Sequence, residues 1–204
     1  RMVLQNKLNI TSSTELANSE EKLTKIRALE LFSKGLLNTI EVGTLKGLCE
    51  IHQYLFQDIY DFAGQMRTVN IAKGQFRFAP VLYLEQALQE IDNLPYTTFE
   101  EILAKYVEMN VAHPFREGNG RAMRIWLDCM LKASLGQVID WQRVHKQDYL
   151  SAMERSPIND LEIRVALQAA LTDKIDDRLI YMKGIDASYA YEVYDLYQAE
   201  QLES

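Results

Sequence analysis

The chain has 204 residues, with 22 lysines and arginines against 29 aspartates and glutamates, so its formal net charge is -7 at pH 7. This length fits one domain with a core large enough to fold without disulfides or a structural metal. The acidic balance disfavours nucleic acid and anionic membranes as partners, because both attract extended basic surfaces. Cys49 and Cys129 lie far apart and the N-terminus lacks the apolar run of a signal peptide, so we expect reduced thiols and a cytoplasmic location.

The first 20 or so residues are polar and serine-rich, which indicates a weakly ordered lead-in or a cap on the first helix. Apolar residues recur at helical spacing from Leu23 to about Gly64, and the period then changes. Thr44 is a candidate cap for the second helix, on which His52 falls at an apolar position and is expected to pack. Residues 68–80 alternate apolar and polar side chains around a Lys73-Gly74 tip, which is typical of a β-hairpin. A lone two-stranded hairpin is marginal in water, so it should lean on the helices as a flap.

Helical spacing returns after the hairpin and continues towards the C-terminus. Thr98 begins a capping box, and the helix that it opens should end at His113, because a proline follows that residue. Further helical runs follow the polar loop after His113 and the Ser156-Pro157 pair, and the tyrosine-rich tail has helical composition. The sequence therefore predicts a single all-α domain over residues 1–204, with seven or eight helices and one hairpin flap.

The strongest chemical signal lies at residues 113–124, which read His-Pro-Phe-Arg-Glu-Gly-Asn-Gly-Arg-Ala-Met-Arg. The Gly-Asn-Gly sequence at 118–120 permits positive φ angles, whose N–H groups converge on one concavity. It leads into a helix N-terminus, which favours an anion. Arg121 and Arg124 lie three apart on that helix and can reach the same ligand, so the segment suits a polyphosphate.

Two titratable residues extend this interpretation. A carboxylate at Glu117 is misplaced beside phosphates unless it holds a Mg²⁺ ion that bridges them. His113 has an ordinary pKa near neutrality and can act as a general base or acid. The combination indicates phosphoryl or nucleotidyl transfer.

The twelve residues 113–124 match the Fic signature H-x-F-x-[DE]-G-N-[GK]-R-x-x-R without departure, and the chain resembles the Fic family over about residues 40–194. The resemblance implies the Fic fold, a helical core with a β-hairpin flap. It implies transfer of AMP from ATP to a hydroxyl side chain of a target protein, with Mg²⁺ or another divalent cation. The target would dock by strand addition on the flap, at residues 68–80.

The resemblance also assigns a role to each residue. His113 would deprotonate the target hydroxyl, which would attack the α-phosphate of ATP and release pyrophosphate. Glu117 would hold the metal ion, and Lys73 near the flap tip would approach the nucleotide. The phosphates would be bound by five residues, namely Gly118, Asn119, Gly120, Arg121 and Arg124. Glycine at 120, where Doc toxins carry lysine, favours adenylyl transfer over kinase activity.

Ser188 and Glu192 resemble the inhibitory pattern [ST]-x-x-x-E-[GN] of Fic proteins, placed C-terminally as in the short single-domain class. The resemblance implies an inhibitory helix over about 187–201. Its Glu192 would pair with Arg124 in the place of the terminal phosphate, and Ser188 would stabilise the helix. Val193 departs from the pattern, which has glycine or asparagine there.

In this class, release of the inhibitory helix is linked to oligomeric state and to automodification of a helix tyrosine. We therefore expect a homo-oligomer, with Tyr189 as the candidate for automodification.

Two other functions stay open at this point. Glu192 could position a water molecule that removes AMP from a modified protein at the same site. A Fic-like scaffold could also bind a nucleotide or a partner without turnover, although the intact His113, Glu117 and Arg121 argue against it.

Overall fold

The computed structural model describes residues 3–203, which form eight α-helices and two small antiparallel sheets of two strands each. The helices are α1 (Ser13–Ser33), α2 (Leu45–Phe56), α3 (Val81–Asp92), α4 (Phe99–Ala112), α5 (Asn119–Leu135), α6 (Lys146–Arg155), α7 (Leu161–Ala169) and α8 (Arg178–Tyr191). The strands are β1 (Ala72–Lys73), β2 (Phe76–Arg77), β3 (Val138–Ile139) and β4 (Leu171–Thr172), and 3-10 helices lie at Leu36–Thr39, Trp141–Arg143 and Ala199–Gln201. The predicted all-α class and helix number are confirmed.

The core is built around α5, which contacts α2, α4 and α8. Trp126, Met130 and Leu131 on this helix are fully buried. Burying such large apolar side chains is the main stabilising term of the fold, at roughly 25 cal/mol per Å² of apolar surface. The N-terminus of α5 lies near the end of α4, from which a short loop separates it, and near Glu192 at the end of α8.

Local sequence signals account for several helix ends. The Thr98 hydroxyl accepts a hydrogen bond from Glu101 N, and the Glu101 carboxylate accepts one from Thr98 N, so the predicted capping box is confirmed. The α2 helix begins with the Thr44 hydroxyl accepting from Gly47 N. The α4 helix ends at Ala112 with His113 as its C-cap, as the following proline predicts. The helix expected to open at the Ser156-Pro157 pair begins only at Leu161, because Ser156 instead caps the end of α6.

The flap occupies residues 68–80 between α2 and α3, and its two paired strands have only two residues each. Ala72 pairs with Arg77 and Lys73 with Phe76. The antiparallel pairing of β3 with β4 was not predicted. Helices α6 and α7 lie between the two strands in the chain, so no local turn signal links them.

The C-terminal helix differs from the expected range of 187–201. It begins at Arg178, where the Asp177 carboxylate accepts a hydrogen bond from Ile180 N, and it ends at Tyr191. The chain leaves the helix at Val193, which has a φ of +61°. The segment that follows is a turn and a short 3-10 helix rather than a continuous helix.

The described residues include no helix with both the length and the apolar content needed to cross a bilayer.

Candidate active site

His113 lies at the end of α4 with a left-handed backbone, at φ 50° and ψ 68°. Its Nδ1 lies 3.1 Å from Asn110 O, and its ring stacks on Phe78 of the flap with centroids 3.6 Å apart. Burial lowers the pKa of His113 to about 3, and the charges of Arg67 and Lys73 act in the same direction. The imidazole is therefore neutral at physiological pH, and since Nδ1 donates to Asn110 O, Nε2 carries the lone pair that a general base uses.

The loop after His113 is held from inside the core. The Asn119 side chain accepts from Phe115 N at 2.8 Å and donates to Phe115 O at 2.6 Å. The buried Phe115 ring stacks on His52 at 3.8 Å. His52 Nδ1 accepts from Gly64 N, so its Nε2 donates to Glu117 O at 2.8 Å. His52 thus packs as expected and also braces the loop, while the Asn119 side chain is occupied by Phe115.

Of the two glycines in the Gly-Asn-Gly sequence only Gly118 adopts a positive φ, and Gly120 already belongs to α5. Gly118 has a φ of +82°, and the helix begins at Asn119 without a side-chain cap. The first hydrogen bond of the helix runs from Ala122 N to Gly118 O, so the N–H groups of residues 119–121 face out of the helix end. A Cβ atom on Gly118 would lie 2.2 Å from the Phe56 ring, which requires glycine there. The helix dipole and these donors favour an anion.

The carboxylate of Glu192, the residue that follows α8, lies against this helix end. Glu192 Oε1 lies 3.0 Å from Arg124 Nη2, and it would lie 2.4 Å from a Cβ atom placed on Gly120. Arg124 also donates from Nε to Ser188 Oγ at 2.7 Å and from Nη2 to Ser188 O at 2.9 Å. Lys73 Nζ of the flap lies 3.5 Å from Glu192 Oε2. The structure thus brings together the two residues of the C-terminal motif, the flap lysine and the second motif arginine.

The charge on Glu192 is set by its surroundings. Burial acts to raise its pKa, but the positive charges of Arg124, Lys73 and Arg121 outweigh burial and hold the pKa at about 2. Glu192 is therefore an anion when it lies on the first turn of α5.

Arg121 is enclosed rather than open to a ligand. It is 1% exposed, and its guanidinium lies over the ring of Tyr194 at 4.5 Å and that of Phe56 at 5.0 Å. Its Nη1 lies 2.6 Å from Glu20 Oε1 of α1, and its Nη2 lies 3.4 Å from Glu117 Oε1. Sequence reasoning missed Glu20, because it stands in a polar stretch that gives no sign of packing against a distant arginine.

Glu117 is the carboxylate with the geometry to hold a metal beside this site. Its Oε1 accepts from Gly118 N at 3.2 Å and from Arg121 Nη2 at 3.4 Å, and its side chain is 31% exposed. Burial raises its pKa, against the opposing charge of Arg121. Within residues 3–203 no group of three or more metal-ligating side chains comes together. One carboxylate next to an anion site fits Mg²⁺, which takes most of its ligands from phosphates and water.

Tyr189 lies in the core in this conformation. Its side chain is completely buried, and its hydroxyl donates to Thr24 Oγ1 at 2.8 Å. Burial also raises its pKa to about 12. Automodification at Tyr189 stays a prediction, and it requires the end of α8 to leave the core first.

The neutral His113, the partly exposed Glu117 and Arg124 lie around the N-terminus of α5, an arrangement that favours an anionic ligand. The sequence pattern of the Fic/DOC family matches residues 43–131. The chain is 34% identical over 187 residues to "Probable protein adenylyltransferase Fic" of Salmonella typhimurium, which covers 84% of this chain and 88% of the relative. It is also 34% identical to the protein of that name from Escherichia coli K12, over 78% of this chain and 82% of the relative. The chain therefore belongs to the Fic/DOC family.

Solved structures with low sequence identity share the fold. The crystal structure of the BepC protein of Bartonella tribocorum, with bound AMPPNP, has a TM-score of 0.70 at 18% identity and covers 83% of this chain and 92% of that one. An N-terminal Fic domain from Bartonella quintana with bound ADP has a TM-score of 0.67 at 19% identity, with coverages of 83% and 91%. The predicted Fic fold is confirmed by these likenesses.

Proposed function

We propose that this chain is an autoinhibited protein adenylyltransferase, which transfers AMP from Mg-ATP to a hydroxyl side chain of a target protein and also to itself. AMP transfer is supported by the two relatives that carry the name probable protein adenylyltransferase. The observation that carries the proposal is the Glu192 carboxylate, which lies 3.0 Å from Arg124 on the first turn of α5, where a phosphate would bind. The chain would act as one Fic domain, with residues 68–80 as the flap and 113–124 as the active-site loop.

The residues of the site suggest how transfer would proceed. ATP phosphates would lie on the N–H groups of residues 119–121 and on Arg124, and Glu117 would hold a divalent cation that neutralises phosphate charge. His113 would accept the proton of the target hydroxyl while that oxygen bonds to the α-phosphorus. The bond from the α-phosphorus to the oxygen bridging to the β-phosphate would break, and pyrophosphate would leave with that oxygen, while Arg121 would contribute its positive charge from beneath the helix end. Positioning and electrostatics would supply the rate enhancement.

Inhibition would be direct competition for one guanidinium. Glu192 and a terminal phosphate cannot both lie on Arg124, and Ser188 adds two contacts that hold Arg124 against α8. The ion pair between Lys73 and Glu192 would also hold the flap against Glu192 in the inhibited state. A homo-oligomer that stabilises or releases α8 remains part of the proposal, and sedimentation velocity of the purified chain would detect it.

The test is incorporation of AMP from α-labelled ATP into the chain and into proteins of a bacterial lysate. Glu192→Gly should raise incorporation at least about tenfold, which corresponds to roughly 1.4 kcal/mol of competition for Arg124. His113→Ala in the Glu192→Gly chain should abolish it. The matched control is His145→Ala, because His145 is exposed at the start of α6.

Three other results would contradict the proposal. Equal incorporation by the wild type and Glu192→Gly would remove the case for inhibition. Loss of AMP from a modified protein that depends on Glu192 would indicate removal of AMP instead of transfer. Tight ATP binding without any incorporation, even by Glu192→Gly, would indicate a scaffold that does not turn over.

A further inference from the structure

One buried arginine, Arg67, connects the flap to the end of α4. It is 5% exposed, and its Nε donates to His113 O at 2.7 Å. One Nη donates to Val69 O at 2.8 Å, and the other donates to Ala79 O and to Ala112 O. Val69 and Ala79 lie at the two ends of the flap, so a single guanidinium binds both ends of the flap and the last residues of α4.

The carbonyls at the end of α4 require donors from outside the helix. The last carbonyls of any helix lack intrahelical partners, and Pro114 has no N–H to supply one. A cation at this end is also favoured by the helix dipole. Arg67 N donates to Pro114 O at 2.8 Å, so the backbone is held on both sides of His113. His113 needs such support, because a left-handed backbone costs a residue other than glycine about 1–3 kcal/mol.

Arg67 has no charge partner that would explain its burial. Burial lowers its pKa, and no carboxylate among residues 3–203 opposes that effect. A buried cation without a counter-charge is unfavourable unless hydrogen bonds satisfy it. The carbonyls that surround Arg67 provide those bonds, and they belong to the two segments that a transfer reaction must align.

We propose that Arg67 is a positioning residue for AMP transfer, which holds His113 in its left-handed conformation and sets the flap in register with the His113 imidazole. This inference rests on the proposed function. A target strand bound on the flap would present its hydroxyl to His113 because the same side chain fixes the position of both. A misplacement of about 1 Å at a reacting centre can reduce the rate about 100-fold.

The first test measures amide hydrogen exchange and needs no activity. The Ala79 amide donates to Val111 O, so it reports whether the flap stays on α4. Arg67→Lys keeps the positive charge but loses the planar guanidinium with its several donors, and Arg67→Met loses both. In each variant the Ala79 amide should exchange at least about tenfold faster, while amides in the middle of α5 exchange at unchanged rates. Arg77→Lys is the control, because Arg77 is exposed on β2. Unchanged exchange at Ala79 in both variants would overturn the proposal.

The second test separates positioning from general loss of structure. In the Glu192→Gly chain, Arg67→Met should lower AMP incorporation about 100-fold and Arg67→Lys should lower it less, while the dissociation constant of a non-transferable ATP analogue stays within about twofold. A parallel loss of nucleotide affinity and transfer, or unchanged transfer, would overturn the proposal. If the Glu192→Gly chain itself incorporates no AMP, the proposed function fails, and the exchange result alone then decides whether Arg67 joins the flap to His113.

Discussion

His113 combines a strained backbone with a half-buried side chain. Its φ of 50° is unusual for a residue with a Cβ atom, and the motif letters alone do not reveal it. The proline after it predicts a helix end, whereas the contacts to His113 come from Arg67, just before the flap, and from Phe78 in the flap. At the scale of single residues, the motif therefore identifies the reactive groups but not the residues that hold them in place.

The protonation of His113 provides a prediction at this scale. In the folded chain its pKa is about 3, against about 6.5 for an exposed histidine, so its imidazole should be neutral at pH 5. Since the folded pKa lies below the unfolded pKa, this group contributes stability that is present above about pH 6.5 and is lost as the pH falls towards 3. NMR of labelled histidine side chains measures the titration directly, with the urea-unfolded chain as reference. A folded His113 that is half protonated near pH 6.5 would contradict it.

Val193, which departs from the inhibitory pattern, follows the end of α8 in a left-handed backbone conformation. The inhibitory pattern carries glycine or asparagine after the glutamate, and the residue at that place here has a φ of +61°. Glycine and asparagine tolerate this region, while a β-branched residue is strained in it. Val193 is 75% exposed, so burial of its side chain gives little compensation. Val193 should therefore weaken the helix end that places Glu192 on Arg124.

Val193→Gly tests this reasoning. Relief of the strain should raise the free energy of unfolding by about 1 kcal/mol, and it should lower the residual AMP incorporation of the otherwise wild-type chain. Urea unfolding and labelled ATP measure the two effects. Val193→Ala is the matched comparison, because it removes the β-branch but keeps a Cβ atom in the left-handed region, so its gain should be smaller. A lower stability of Val193→Gly than of Val193→Ala would refute the argument.

Among the elements, those with strong local signals were predictable from sequence. The capping box at Thr98 and the hairpin at 68–80 follow from a few neighbouring residues. The bounds of α8 and the pairing of β3 with β4 could not be predicted in the same way. They depend on contacts between residues distant in sequence, such as that of Asp140 N with Ala170 O.

At the scale of the whole molecule, the N-terminal helix holds the C-terminal segment. Lys25 of α1 is 1% exposed, and its Nζ lies 3.1 Å from Glu21 Oε2 and 3.1 Å from Asp186 Oδ1 of α8. It also donates to Tyr197 O, and the Glu21 carboxylate accepts from Tyr197 N and Leu196 N. The segment just after Glu192 is thus hydrogen-bonded to α1, a helix that lies outside the active-site motif at residues 113–124.

Lys25→Met should release this segment. Removal of one partner from a buried ion pair leaves uncompensated charge and typically destabilises a protein by about 3–5 kcal/mol. The segment after residue 191 should become more sensitive to proteolysis, and AMP incorporation by the otherwise wild-type chain should rise. Lys22→Met is the control, because Lys22 is exposed on the same helix. Higher protease sensitivity without any rise in incorporation would show that the segment after Glu192 has no part in inhibition.

The close approach at Gly120 has an evolutionary consequence. A side chain at this position would begin 2.4 Å from Glu192 Oε1 and 2.8 Å from Arg124 Nη1, so both groups would have to move. Any substitution at residue 120 would therefore disturb the contact between Glu192 and Arg124, and it would also change the surface on which the phosphates are proposed to bind. If that contact inhibits the enzyme as proposed, a lineage that changed its reaction through residue 120 would have to lose or rebuild its inhibition at the same time.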